Sequence, residues 1–100
     1  LLKNKAYWYK NKLNKELFQN LANQLEGIHD FSSFTKKESL KTYESTIRKI
    51  SNFKIIEDTE IKGLYRIRIK GTGFLHNMVR ICIGTILDIA RGKIKKNLLE

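Results

Sequence analysis

The sequence predicts an α+β domain: an antiparallel β-sheet with helices packed on one face, in the order helix, strand, strand, helix. Three observations predict it. Leu13, Leu17, Phe18, Leu21 and Leu25 recur at helical spacing. Tyr65, Ile67 and Ile69 alternate with Arg66, Arg68 and Lys70, as on a strand buried on one side only. Residues 74–91 are apolar around most of a helical circumference, as in a largely buried helix.

Taken in order, the first helix spans residues 13–26, and Gly27 can adopt the positive φ of a terminating C′ position. The segment 28–34 reads as a turn, with Asp30 and two serines as turn formers and Phe31 and Phe34 folding it onto the core. Residues 36–43 are polar and read as a loop. Residues 44–56 read as a strand whose imperfect alternation suggests a bulge. An acidic turn at 57–60 and Lys62-Gly63 lead into the strand 64–70, so the two strands pair as an antiparallel hairpin. Gly71-Thr72-Gly73 breaks that strand. A helix follows from about Phe74 to Arg91, with Gly92 as its terminator. Residues 95–100 begin a further helical pattern that stops at Glu100; with no initiator Met, the chain reads as a piece of a longer protein.

Composition narrows the function classes. One hundred residues make about one domain. With 41% hydrophobic residues the chain is too apolar for a disordered basic tail, and no apolar run approaches the roughly 18–20 residues of a membrane span. Cys82 is the single cysteine, which excludes an internal disulfide and fits a reducing cytoplasm. No zinc-like spacing joins Cys82, His29 and His76, so no metal is expected. The net charge of +10 permits nucleic acid as a partner. It is discounted because 15 of the 20 basic residues are Lys and both halves carry the same balance.

Arg80 is the first candidate site residue. Asn77, Arg80, Gly84, Asp88 and Arg91 are spaced 3, 4, 4 and 3 apart and fall within a sector of roughly 80° at about 100° per residue. Such a stripe faces water, a ligand or a partner. Two readings stand for Arg80: a structural ion pair or solvated cation, or a guanidinium held over a site to meet a carboxylate or phosphate. Asp88 is about 12 Å along the axis, which favours a partner outside the helix. Gly84, one turn on, leaves space beside the guanidinium. Arg66, Arg68 and Lys70 form a basic strand face that Arg48 would extend across the hairpin. It is either a solvated face or a surface for phosphates, which supply affinity without sequence readout.

Other features carry less. Residues 70–77 share Lys, Gly, Gly and Phe with the first signature of the RNA-recognition motif, but Thr72 and Asn77 stand where base-stacking aromatics belong. His29-Asp30 has no second His or Asp cluster and reads as a turn. His76, at a helix start, is a candidate nucleic-acid contact or a bland surface residue. Cys82, between Ile81 and Ile83, reads as an inert core thiol. Trp8, between Tyr7 and Tyr9, is expected to pack against the body of the protein, with stacking on bases as the alternative.

Three segments carry a resemblance. Residues 25–34, Leu-Glu-Gly-Ile-His-Asp-Phe-Ser-Ser-Phe, resemble the Leu-x-Gly-x-His-Asp-Phe-Ser-x-Phe segment of the bacterial tRNA pseudouridine synthase A family. Residues 46–50, Thr-Ile-Arg-Lys-Ile, resemble its Thr-x-Arg-x-Ile strand. Residues 73–80, Gly-Phe-Leu-His-Asn-Met-Val-Arg, with Gly84-Thr85 and Gly92-Lys93, resemble its Gly-Phe-Leu-x-x-Met-Val-Arg…Gly-Thr…Gly-Lys helix. Thr72 departs from the Asn or Asp that the family often has between the two glycines.

The resemblance implies that residues 1–100 are a single domain, the C-terminal segment of a synthase that isomerises uridine to pseudouridine in the tRNA anticodon arm. It implies a cytoplasmic homodimer without metal or organic cofactor. The family's nucleophilic Asp lies in an Arg-Thr-Asp-x-Gly-Val-His motif that this sequence lacks, so the chain alone is expected to be inactive. A catalytic-pocket Tyr is expected upstream, and the family's final strand downstream. Arg80 matches the family Arg that pairs with the nucleophile. Arg48, Arg66, Arg68, Lys70, His76 and Asn77 are the expected RNA contacts. A non-catalytic RNA-binding module of the same fold is the alternative; a basic interaction domain that binds no RNA is a third reading.

Overall fold

A computed structural model describes residues 2–92. Its secondary structure runs β1 (Lys3–Lys10), α1 (Lys15–Leu25), β2 (Gly27–Asp30), β3 (Ile47–Glu57), β4 (Leu64–Gly71) and α2 (Met78–Ala90). Short 3₁₀ turns at Ser32–Phe34 and Lys37–Thr42 join β2 to β3. The four strands form one antiparallel sheet in the order β1-β4-β3-β2. The α+β class and the β3–β4 hairpin are as the sequence predicts. The predicted order gains two strands, β1 before the first helix and β2 where only a turn was expected. The further helical pattern at 95–100 lies outside the described residues.

One side of the sheet carries the core. Ile50, Phe53 and Ile55 of β3 and Tyr65, Ile67 and Ile69 of β4 face the helices. Phe18, Leu21 and Leu25 of α1 and Met78, Cys82 and Ile86 of α2 close over them. Asn14 caps α1: its Oδ1 accepts the Leu17 N–H at 3.0 Å, satisfying a donor the first turn leaves free. Gly27 has φ +99, the conformation that lets β2 leave α1 directly. Phe31 and Phe34 are buried with their rings edge to face at 5.9 Å, so this turn does fold onto the core.

β2 pairs only with Ile47–Ile50 of β3, and side chains of α1 and of Glu26 just past it reach Phe53 and Ile55 beyond that pairing. Gln19 donates through Nε2 to the Phe53 carbonyl at 2.8 Å and accepts the Ile55 N–H on Oε1 at 3.0 Å. Glu26 accepts the Phe53 N–H at 3.0 Å. Two polar side chains thus satisfy backbone groups that an edge strand leaves bare.

The expected bulge sits at Ser51, where the β3–β4 register shifts between Ile50 and Asn52. Gly71 lies opposite Ile50 at this irregularity, and a Cβ there would come within 2.5 Å of the Lys49 carbonyl oxygen. Only glycine permits that approach.

Candidate functional site

The candidate site lies where the helical layer ends. Neither helix covers β1, and seven of its eight residues are exposed. Lys3, Lys5, Tyr7 and Tyr9 point to the helix side, directly opposite Gly71, Ile69, Ile67 and Tyr65. Because α2 stops short of β1, a cleft opens between them.

The start of α2 shapes the other wall. Phe74 to Asn77 are not helical, contrary to expectation; α2 begins at Met78. The segment is pinned from outside: the His76 N–H donates to the Tyr43 hydroxyl at 2.7 Å, and the His76 carbonyl accepts from Thr35 Oγ1 at 2.6 Å. Asn77 then turns the chain into the helix with φ +60, a left-handed conformation that Asn tolerates better than most residues. Its carbonyl accepts the Ile81 N–H at 2.9 Å, and its side chain makes no capping bond. The amide therefore stays available to the cleft.

Two connected recesses result. One, of about 440 Å³, is lined by Lys3, Lys5, Tyr7, Asn77 and Arg80 among others. The second, of about 340 Å³, runs along α2 between Tyr7, Tyr9, Arg80, Gly84 and Leu87. Tyr7 and Arg80 belong to both walls. Arg80 is exposed, so no burial penalty demands an internal partner for it. Among the described residues, neither recess has a carboxylate in its wall, and Asp88 lines neither. A Cβ on Gly84 would meet nothing within 4 Å, so the space expected beside the guanidinium is open. Among the described residues, Lys3, Lys5 and Arg80 thus give the cleft three cations and no anion, a surface suited to a carboxylate or phosphate from outside.

The open side of the sheet is a separate surface. Arg66, Arg68 and Lys70 alternate with the buried Tyr65, Ile67 and Ile69, and the strand pairing sets Trp8, Ala6 and Asn4 beside them. Lys54 lies opposite Arg68 on the other flank. Arg48 does not extend this patch. The bulge at Ser51 reverses the alternation, so Arg48 shares the side of Ile50, where its guanidinium lies 5.6 Å from the Tyr43 ring centre. It donates to the Ser45 and Ile47 carbonyls, each at 2.8 Å. His76 is exposed but lines neither recess. Of the predicted residues, Arg80 and Asn77 meet in the cleft, while Arg66, Arg68 and Lys70 share the opposite face of the sheet.

Sequence reasoning missed Lys3, Lys5 and Tyr7 because it missed β1. The usable signal was the run Tyr7-Trp8-Tyr9, aromatics that favour strands. Trp8 is also a correction: instead of packing against the body it is 60% exposed on the open face. His29 is structural, with Nε2 2.9 Å from the Glu26 carbonyl and its ring edge-on to Phe31 at 5.8 Å. Burial pushes the Cys82 thiol up to about 12, as an inert core thiol requires.

Comparison with known proteins gives this geometry a family. A family model described as tRNA pseudouridine synthase matches residues 21–100. A tRNA pseudouridine synthase A of Leptospira interrogans is 41% identical over 99 residues, covering 98% of this chain and 47% of the relative. A tRNA pseudouridine synthase A 1 of Clostridium tetani is 44% identical over 94 residues, 92% of this chain and 36% of the relative. The corresponding enzyme of Chlamydia abortus is 41% identical over 88 residues, 88% of this chain and 31% of the relative. The chain therefore spans about a third to a half of the length of these relatives. It belongs to the tRNA pseudouridine synthase family.

Proposed function

We propose that this chain is the C-terminal part of a tRNA pseudouridine synthase that acts on uridines of the anticodon arm, and that it supplies one wall of the active site. The observation that supports this reading is the Arg80 cleft: exposed cations, a polar amide and a tyrosine hydroxyl gathered around open space, with no acid among the described residues that line it.

The chemistry asks for such a wall. A uridine must leave its stack to be reached. A carboxylate, carried by the part of the enzyme that holds the Arg-Thr-Asp motif, attacks as nucleophile. The carboxylate bonds to C1′ as the bond from C1′ to N1 breaks, the base turns over, and C5 bonds to C1′ as the carboxylate leaves. The C5 proton is lost and N1 takes one up, so the reaction is an isomerisation with no redox change. The Arg80 guanidinium favours the ionised form of that carboxylate and fixes its plane by paired hydrogen bonds. Lys3 and Lys5 hold flanking phosphates, and the Asn77 amide and the Tyr7 ring border the base. Arg66, Arg68 and Lys70 contact tRNA phosphates on the open sheet face. The enzyme works as a cytoplasmic homodimer and needs no metal or organic cofactor for these steps.

The test is tritium release from C5-labelled uridine in an unmodified tRNA transcript. The 100-residue chain alone should give none, and turnover above background would refute the assignment of the nucleophile elsewhere. In the full-length protein, Arg80→Met should lower kcat/KM by about 100-fold or more, the scale of losing one preorganised partner of a reacting group. Arg80→Lys keeps the charge but loses the planar fork, and should recover only part of it. Since Arg80 is exposed, neither change should lower the melting temperature; full activity in Arg80→Met would return Arg80 to the solvated class. A full-length sequence without an Arg-Thr-Asp motif would favour the non-catalytic RNA-binding alternative.

A further inference from the structure

We propose that Trp8, on the open face of the sheet at the margin of the Arg80 cleft, is a stacking platform for an unpaired base of bound RNA. The inference rests on the RNA-binding reading above and adds a base contact to a face so far credited only with phosphates. Trp8 is 60% exposed, and the strand pairing sets it directly opposite Arg66, which in turn lies opposite Ile56, 45% exposed. The three side chains make one row across β1, β4 and β3. They line a recess of about 220 Å³ closed by the turn at Glu57, Asp58 and Thr59.

The chemistry of this row fits a nucleobase. An exposed indole offers a flat apolar face, and every base has a π-face to lay on it. Arg66 Nε has no hydrogen-bond partner among the described residues and is shielded in this geometry, so the guanidinium would meet a base edge or its phosphate after a turn of its side chain. Glu57 and Asp58 stand in the wall of the recess and keep their charge, but both are drawn into the turn, away from the strand cations that run along the row. Asp58 Oδ2 accepts the Glu60 and Ile61 N–H groups at 3.0 and 2.7 Å, and Glu57 Oε2 accepts that of Gly63 at 3.1 Å.

Charge decides the occupant. The next rung pairs Arg68 with Ala6 and Lys54, and the one after it pairs Lys70 with Asn4 and Asn52. These cations follow the row at about 7 Å per rung, a spacing of the order of one nucleotide of extended single strand. A second copy of this chain would set the same basic face against itself, whereas an RNA strand places phosphates over Arg68, Lys54 and Lys70 and a base over Trp8.

Trp8 is the only tryptophan, so its emission reports the site without labelling. The 100-residue chain would be titrated with single-stranded oligouridylate and with an abasic ribose-phosphate oligomer of equal charge. The expected result is quenching of Trp8 emission by oligouridylate and binding of the abasic oligomer at least about fivefold more weakly. Trp8→Ala should weaken oligouridylate binding by a similar factor without changing the salt slope, and Trp8→Phe should restore most of it. Unchanged emission at saturation, or unchanged affinity in Trp8→Ala, overturns the proposal. So does an emission change on concentrating the chain without RNA, the mark of self-association. The joint change of Arg66, Arg68 and Lys70 to Gln separates this failure from that of the phosphate reading. It should flatten the log–log salt slope by about 0.7 per contact on single strands. A flattened slope with no role for Trp8 leaves the phosphate reading intact, and failure to bind oligouridylate at low salt overturns both.

Discussion

Gly84 offers a perturbation whose effects on stability and activity should run in opposite directions. It lies inside α2, where glycine is the poorest ordinary residue, because it loses the most backbone entropy on folding. Alanine in a helix interior is better by about 0.8–1.0 kcal/mol. That gain is often cancelled by crowding, but here the new Cβ would meet nothing within 4 Å. Gly84→Ala should therefore stabilise the chain by about 1 kcal/mol, which in a domain of this size raises the melting temperature by roughly 4–8 °C. The added methyl projects into the recess shared by Tyr7 and Arg80. If that space admits the reacting groups, activity falls as stability rises, and Gly84→Leu should lower it further. The measurements are a thermal melt of the chain and tritium release by the full-length protein carrying the same change. A melt lowered by Gly84→Ala would show the site to be crowded. A stable and fully active Gly84→Leu protein would show that the space beside Arg80 serves no purpose in the reaction.

Other outcomes follow from the same contacts. Gln19→Ala strips the Phe53 carbonyl and the Ile55 N–H of their partners, and should cost about 1–3 kcal/mol in a urea melt; a loss below a few tenths would mean that water replaces the side chain freely. Cys82 is 0% exposed with its thiol raised to about 12, so iodoacetamide at pH 8 should label it only at the rate of global unfolding. Fast labelling of the native chain would contradict the core described here. The Asp30 carboxyl is held below its ordinary 3.8, first by the Thr46 hydroxyl at 2.6 Å and then by the Ser32 N–H. A lowered folded value contributes stability above the unfolded value that is lost as pH falls through the folded one. Thr46→Val should thus make stability less sensitive to acid below about pH 4, and an unchanged acid limb of the stability curve would show that this bond contributes nothing.

Much of the fold was legible because much of it is amphipathic. Residues 65–70 alternate without exception, and β4 has a paired strand on each side and a fully packed inner face. The leucines of α1 mark its buried stripe for the same reason. β2 was not legible: it has four residues, and its alternation of Ile28 and Asp30 with Gly27 and His29 puts an isoleucine toward water at 69% exposure. The helical start at Phe74 was a misreading of apolar character as periodicity. Phe74 and Leu75 do pack on the core, but from a turn held by Tyr43 and Thr35, partners more than 30 residues away that no local pattern records.

The site was legible only on its helical side, and the reason is instructive about edges. A strand announces itself through the contrast between a buried and an exposed side, and β1 has almost no buried side. That same exposure is what makes it useful. Were α2 long enough or near enough to cover β1, Lys3, Lys5 and Tyr7 would read as an amphipathic strand in sequence, and there would be no cleft beside Arg80. Arg80 and Gly84 could be singled out because they interrupt an apolar helix, a background against which a polar residue stands out. Arg48 was misplaced because a single inserted residue, Ser51, moves every earlier side chain of β3 to the other side of the sheet. A bulge can be suspected from broken alternation, but its position decides which face a cation joins, and that position is set across the sheet by the close approach of Gly71 to the Lys49 carbonyl.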